Sequence, residues 1–262
     1  MNRRSLLGLA PLMALAAQAK AATQDKPMAT CCPIVELRQY TLHAGGREVL
    51  IDLFERAFVE AQEAVRIRVI GTFRDLDDPN RFVWLRGFPD MAARAKSLEA
   101  FYSGPAWQAN RAAANATMID SDNVLLLRPT TPEAGFATAA GQGDGLVVAE
   151  IRYLHPQKAA AFQAFVAERI VPRMKAAGAR VLGTFATEAS PNSFPKLPVR
   201  EGETVHATFL GFSGEPAHRA WRDALAAGPD WREGAPEALL SEFSRKPEVI
   251  RLSPTKRSRL RG

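Results

Sequence analysis

Five short blocks of this 262-residue chain occur twice, in the same order. Glu36-Leu37-Arg38 returns as Glu150-Ile151-Arg152, and Ile70-Gly71-Thr72-Phe73 returns as Leu182-Gly183-Thr184-Phe185. Gly87-Phe88 returns as Gly211-Phe212, Gly104-Pro105-Ala106-Trp107 as Gly228-Pro229-Asp230-Trp231, and the run Val124 to Thr130 as Val249 to Thr255. The spacings agree too: 16 positions separate Phe88 from Gly104 and Phe212 from Gly228. One interval differs. Gly71 to Gly87 is 16 positions and Gly183 to Gly211 is 28, so twelve extra residues sit in the second copy around Ala189 to Glu203. Pro191, Pro195, Pro198 and Gly202 mark that stretch as a loop. Ordered repetition of this kind restricts the chain to two similar units, 33–131 and 145–255, joined by a Gly-, Ala- and Thr-rich linker at 132–144.

Each copy reads the same way. Val35 to Leu42 alternates as a strand does. Arg47 to Val65 places Leu50, Leu53, Phe54, Ala57, Phe58 and Ala61 at helical spacing. Arg68 to Arg74 and Arg81 to Phe88 read as strands around a turn at Asp77 to Asn80. Met91 to Phe101 reads as a helix stopped by Gly104 and Pro105, and Val124 to Leu127 as a closing strand. The order β-α-β-β-α-β is that of a ferredoxin-like unit, so an α+β fold of two such units is expected. In the second copy, Pro172 should kink or divide the helix from Gln157 to Ala177.

A unit of this type covers one sheet face with helices, and its other face meets water or a second sheet. Alternation sorts the strand residues into two sets. The aliphatic set (Val35, Leu37, Val83, Leu85, Ala149, Ile151, Ala207, Phe209) is expected beneath the helices. The mixed set (Glu36, Arg38, Tyr40, Phe82, Trp84, Arg86, Glu150, Arg152, His206, Thr208) is expected between the sheets, as an amphipathic interior.

The residues Glu36 to Leu42 followed by Gly45, then Ile70 to Phe73, Phe82 to Leu85, and Gly104 to Trp107, resemble the NIPSNAP family. The resemblance covers about Val35 to Thr130 well and the second copy more loosely, because Leu154 and Thr208 stand where Tyr40 and Trp84 would be. It implies the dimeric α/β-barrel superfamily, here as a fused pseudo-dimer of two sheets packed face to face. It implies no established reaction: related barrels include cofactor-free monooxygenases, isomerase-like enzymes and haem enzymes, and a fold alone does not choose among chemistries.

The chain opens with Arg3 and Arg4, an apolar stretch from Leu6 to Ala17, and small-x-small triplets at Ala17 to Ala19 and Ala19 to Ala21. These are the three parts of a secretory signal over residues 1–24. Arg3-Arg4 before Ser5, Leu6 and Leu7 resembles a twin-arginine signal, with Asn2 and Gly8 departing from the pattern. A periplasmic or otherwise exported protein is expected, with no integral membrane segment after processing. Residues 25–32 read as a flexible stub. Cys31 and Cys32 are the only cysteines, and as neighbours they cannot staple distant parts of the fold. A redox pair, a metal ligand or a lipidated cysteine are the alternatives to a plain stub.

The formal charge of +6 sits at the ends. The first 24 residues carry three cations and the last seven carry four, which leaves the body at −1. A nucleic-acid-binding face is therefore not expected. The basic tail at 256–262 reads as a solvated end.

The candidate ligand site is Arg38, Tyr40, Trp84 and Arg86 of the first copy facing Arg152 and His206 of the second. These residues offer cationic donors, a phenol, an aromatic wall and a group titrating near neutral pH. They suit a small, partly apolar molecule able to carry a negative charge, bound between the sheets. The alternative is that Glu36–Arg38 and Glu150–Arg152 are structural ion pairs bridging the sheets in a non-catalytic interaction module, with a second copy of the chain as a further partner. No reaction and no catalytic residue follow from the pattern. No metal site and no cofactor are expected; haem, with His206 as ligand, or a cofactor-free monooxygenase are the enzyme alternatives. Trp107 and Trp231 read as packing anchors.

Overall fold

The computed structural model describes residues 31–138, 143–228 and 243–262. The signal-like segment 1–24, most of the expected stub, and Trp231 lie outside the described residues.

The first half runs β1 (Ile34–Leu42), α1 (Gly46–Leu53), a π-helical turn (Phe54–Phe58), α2 (Val59–Ala64), β2 (Arg68–Asp75), β3 (Arg81–Phe88), α3 (Met91–Ser103), α4 (Pro105–Asn115) and β4 (Met118–Pro129). The second runs β5 (Leu146–Leu154), α5 (Ala159–Phe165), a π-helical turn (Val166–Ile170), α6 (Val171–Ala176), β6 (Arg180–Thr187), β7 (Thr204–Phe212), α7 (Glu215–Ala227) and β8 (Arg245–Pro254). Both halves thus follow β-α-β-β-α-β order, and their π-turns fall at matching positions. Pro172 lies in the first turn of α6, after the π-turn. The first half has the same turn without a proline. Helix α4 was not foreseen. Gly104 and Pro105 stop α3, but they also start α4, with Gly104 as N-cap and proline in its first turn.

The eight strands close into one antiparallel barrel in the order β1-β3-β2-β8-β5-β7-β6-β4. The halves join at two seams, β2 with β8 (Phe73 opposite Pro254) and β4 with β6 (Leu127 opposite Thr187). The Gly-Thr-Phe motif has a local cause. Pairing shifts register between Val69 and Gly71, and again between Val181 and Gly183. There the following phenylalanine folds back over the glycine. A Cβ on Gly71 would lie 2.5 Å from the Phe73 ring, and one on Gly183 2.7 Å from Phe185.

The two sets of strand residues occupy the reverse of the expected faces. Val35, Leu37, Val83, Leu85, Ala149, Ile151, Ala207 and Phe209 form one buried cluster with Phe73, Phe185 and Leu252 inside the barrel. Tyr40, Phe82 and Trp84 pack with Leu50, Phe54, Phe58 and Phe101 beneath the helices. The interior between the sheets is therefore a buried aliphatic and aromatic core, and the mixed polar set lies outside it.

Two terminal segments also differ from expectation. Cys31 and Cys32 are bonded to each other, and the Cys31 N–H donates to Phe136 O, so this end of the stub is tied to the barrel. The basic tail is docked. Arg257 pairs with Glu60, Arg259 with Glu63 and Arg261 with Asp144, while Leu260 N–H donates to Ile70 O. Glu60 and Glu63 on α2 and Asp144 before β5 supply the partners that make docking favourable.

Candidate functional site

Strand register brings the mixed residues of the first half together. Glu36 lies opposite Arg86, Arg38 opposite Trp84 and Tyr40 opposite Phe82 across the β1–β3 pair. Glu36 is fully buried and accepts from three fully buried arginines: Arg38 Nη1 (2.7 Å), Arg86 Nε (2.7 Å) and, from α3, Arg94 Nε (2.6 Å). Arg86 Nη1 also reaches Gln62 Oε1 on α2 at 3.4 Å. Arg38 Nε donates to the Tyr40 hydroxyl at 3.0 Å. The Trp84 ring lies between two guanidiniums, 5.6 Å from Arg38 and 5.0 Å from Arg86, at cation–π distance.

Three positive charges therefore face one negative charge out of contact with water. Burial alone would raise the Glu36 pKa, but Arg86, Arg38 and Arg94 outweigh it and hold the carboxyl well below its usual range. Burial lowers the Arg94 pKa, and Arg86 and Arg38 add to that against the pull of Glu36. Burial also raises the Tyr40 phenol above its ordinary value, so it remains a neutral O–H. The Nη2 atoms of Arg38, Arg86 and Arg94 have no protein partner, nor do Gln62 Nε2 and Trp84 Nε1. Buried donors without partners are costly, and guanidiniums are suited to binding carboxylates through paired N–H groups.

The extra residues of the second half cover this cluster. Asn192 Oδ1 and Ser193 Oγ accept from Arg94 Nη1 at 2.9 and 3.1 Å. Phe194 stacks on Tyr102 at 6.1 Å, and Lys196 pairs with Glu99 on α3. The insertion is thus a strap laid by one half over the other.

The family model of NIPSNAP matches residues 35–132, the segment that holds β1, β3, α2 and α3. The chain carries a NIPSNAP domain. Over most of its length the fold is similar to the crystal structure of a "putative monooxygenase" from Lactobacillus acidophilus NCFM, at 13% identity and TM-score 0.54, covering 86% of this chain and 94% of that one. It is also similar to an anthrone oxidase-like protein, at 13% identity and TM-score 0.54, covering 87% of this chain and 93% of that one. At these identities the likeness is one of fold, that of the dimeric α/β barrel. An uncharacterized NIPSNAP-like domain protein from Burkholderia xenovorans is 30% identical over 37% of this chain and 85% of its own, with TM-score 0.35. A search of curated proteins found no match.

Of the six candidate site residues, Arg38, Tyr40, Trp84 and Arg86 come together in the NIPSNAP domain. Arg152 and His206 do not join them. They are register partners of each other, beneath the helices of the second half. Nor do the ion pairs bridge the sheets: Glu36 ties β1 to β3 and α3, while Glu150 pairs with Arg152 along its own strand at 2.6 Å. Sequence reasoning missed Gln62, Arg94, Asn192 and Ser193. Two of them left a signal. Gln62 continues the buried stripe of Phe54 and Phe58, and Arg94 shares that of Leu98 and Phe101, so each is a polar residue on an apolar helix face.

His206 is 1% exposed, with Nε2 within 3.2 Å of Thr208 Oγ1 and the Phe162 ring edge-on at 5.7 Å. Burial, with a smaller contribution from Arg152, lowers its pKa to about 3. A ring so enclosed does not fit the axial ligand of haem. Among the described residues, no group of three or more His, Cys, Asp or Glu could hold a metal ion, and no helix is long and apolar enough to cross a membrane. A cleft of about 760 Å³ opens near Cys31, Arg68 and Arg180. Several of its cations are already engaged: Arg68 with Thr138 O, Arg259 with Glu63 and Arg261 with Asp144.

Proposed function

We propose that this is an exported binding protein, built by tandem duplication of a ferredoxin-like unit, whose NIPSNAP domain takes up a small carboxylate-bearing molecule at Arg38, Arg86 and Arg94. One observation carries the reading: three buried guanidiniums share a single carboxylate, and each retains an Nη2 without a protein partner. A purely structural cluster would balance its charges, because burying unpaired charge is costly. A bound carboxylate would supply the second negative charge. Tyr40 and Trp84 would present a phenol and an aromatic face to its body. Entry requires the strap to lift, since Asn192 and Ser193 accept from Arg94 Nη1 and cover it. The distant fold neighbours contribute no reaction, and binding is the activity these residues support. The signal-like start supports export.

Arginine side-chain NMR of the full chain tests the binding. Acetate should shift the Arg94 and Arg86 resonances saturably, whereas chloride at matched ionic strength should not. Replacing Asn192 and Ser193 by Ala removes two competing acceptors and should tighten acetate binding about tenfold. Absence of a saturable shift in both the parent and this strap variant, or equal shifts with chloride, overturns the reading. For export, the mature N-terminus should lie between Lys20 and Gln24, and Arg3→Lys with Arg4→Lys should block a twin-arginine route.

A further inference from the structure

The second half keeps only the Glu150–Arg152 pair of the arginine cluster, and a cavity lies beside it. Counting from the shared Gly-Thr-Phe and Gly-Phe blocks, Leu210 stands where the first half has Arg86, His218 where it has Arg94, and Met174 where it has Gln62. The large aromatic residues have shrunk as well. Val166 replaces Phe54, Ile170 replaces Phe58, and Leu225 replaces Phe101. The first half fills this layer with rings in mutual contact, Phe54 on Trp84 at 4.8 Å and Phe58 on Phe101 at 5.8 Å. In the second half the same layer holds a cavity of about 390 Å³ between the sheet and helices α5 to α7. That size lies within the range of small-molecule sites. Phe162, Val166, Ile170, Met174 and Leu225 line it, and Trp221, whose Nε1 donates to Met174 O, forms one wall. At its floor the Glu150–Arg152 pair survives. Arg152 Nη2 donates to Glu150, and its buried Nη1 has no protein partner.

We propose that this cavity is a second binding site, for an aromatic or branched aliphatic monocarboxylic acid whose apolar body occupies the Val166–Ile170–Leu225 space and whose carboxylate meets Arg152 Nη1. The apolar walls supply most of the affinity by burying ligand surface, and the single unpartnered N–H sets its orientation. Of the first-half trio only Arg152 is retained, and Arg173 on α6 also lines the cavity while Glu150 shares its floor, so the lining carries one surplus positive charge and suits a single carboxylate on a larger apolar body. The site is independent of the arginine cluster in the NIPSNAP domain.

Phenylacetate is a suitable probe, with 2-phenylethanol as its uncharged counterpart. Binding to the full chain is followed by calorimetry and by the Met174 methyl resonance, assigned with Met174→Leu. Phenylacetate should bind saturably and move the Met174 methyl. Val166→Phe with Leu225→Phe restores first-half residues, fills the cavity and should weaken binding at least tenfold. Arg152→Met should weaken phenylacetate about tenfold and leave 2-phenylethanol within about twofold, a split that general loss of structure would not produce. Failure of phenylacetate to move Met174 in the parent chain overturns the proposal, and so does undiminished binding to a folded, cavity-filled variant.

Discussion

Glu36→Gln changes almost no volume and removes one charge, yet three arginines depend on that charge. Breaking a buried ion pair by removing one partner costs about 3–5 kcal/mol. Here Arg38, Arg86 and Arg94 all converge on the same carboxylate at 2.6–2.7 Å with no exposure to solvent. The cost therefore belongs in the upper part of that range, about 4–5 kcal/mol at pH 7. For a chain of this size that corresponds to a fall in Tm of roughly 8–20 °C. The pH dependence adds a second check. The native pKa of Glu36 is held far below the unfolded value of about 4.3. Its contribution is therefore fully present above that value and is lost as pH falls toward the depressed native pKa. Urea unfolding of the parent and variant should show a constant gap from pH 8 to about pH 5, narrowing below about 4.3. Removing Arg94 as well should recover part of the loss, because it takes away one surplus charge; the two changes will not add. Glu150→Gln should cost clearly less than Glu36→Gln, because one arginine and not three depends on that carboxylate. A Glu36→Gln protein that unfolds within about 1 kcal/mol of the parent, or a gap unchanged down to pH 3, would refute the reasoning.

His206 should remain neutral in the folded protein down to about pH 3. Because its native pKa is depressed below the unfolded value near 6.5, stability should fall by up to about 1.4 kcal/mol per pH unit below 6.5, and His206→Gln should flatten that slope in urea titrations. Gly71→Val and Gly183→Val should each destabilise by about 1–3 kcal/mol in thermal melts, since each side chain collides with the phenylalanine folded over it. Residues 33–131 expressed alone expose Val35, Leu37, Val83, Leu85, Leu125 and Leu127 and lose both seams, so they should dimerise or aggregate; a cooperative monomer in sedimentation would contradict this. Deleting 256–262 should lower the Tm modestly, because the arginine pairs lost are largely exposed while Leu260 packs on the core.

Much of the fold was legible because repetition does not depend on three-dimensional context. The order β-α-β-β-α-β and the place of the insertion follow from matched blocks and local chemistry. Helix α4 escaped because Gly104-Pro105 serves as both stop and start, and a local reading registers the stop first. The strap's destination was not legible either. Nothing between Ala189 and Glu203 indicates that Asn192 and Ser193 will meet Arg94 nearly a hundred residues earlier in the chain.

The sequence by itself determined which residues travel together. Alternation places Glu36, Arg38 and Tyr40 on one side of β1 and Val35 and Leu37 on the other, whatever the sheet packs against. It does not determine which side faces inward. That was decided by the tertiary structure, through partners that the strands do not carry. Gln62 on α2 and Arg94 on α3 can satisfy part of the polar set beneath the helices. A closed eight-stranded barrel offers its interior mostly the side chains of the other strands, and these fill it best when they are Val, Leu, Ile and Phe. The charged set was thus placed under the helices of its own half, and Arg38 and Arg152, one in each half, lie apart instead of facing each other.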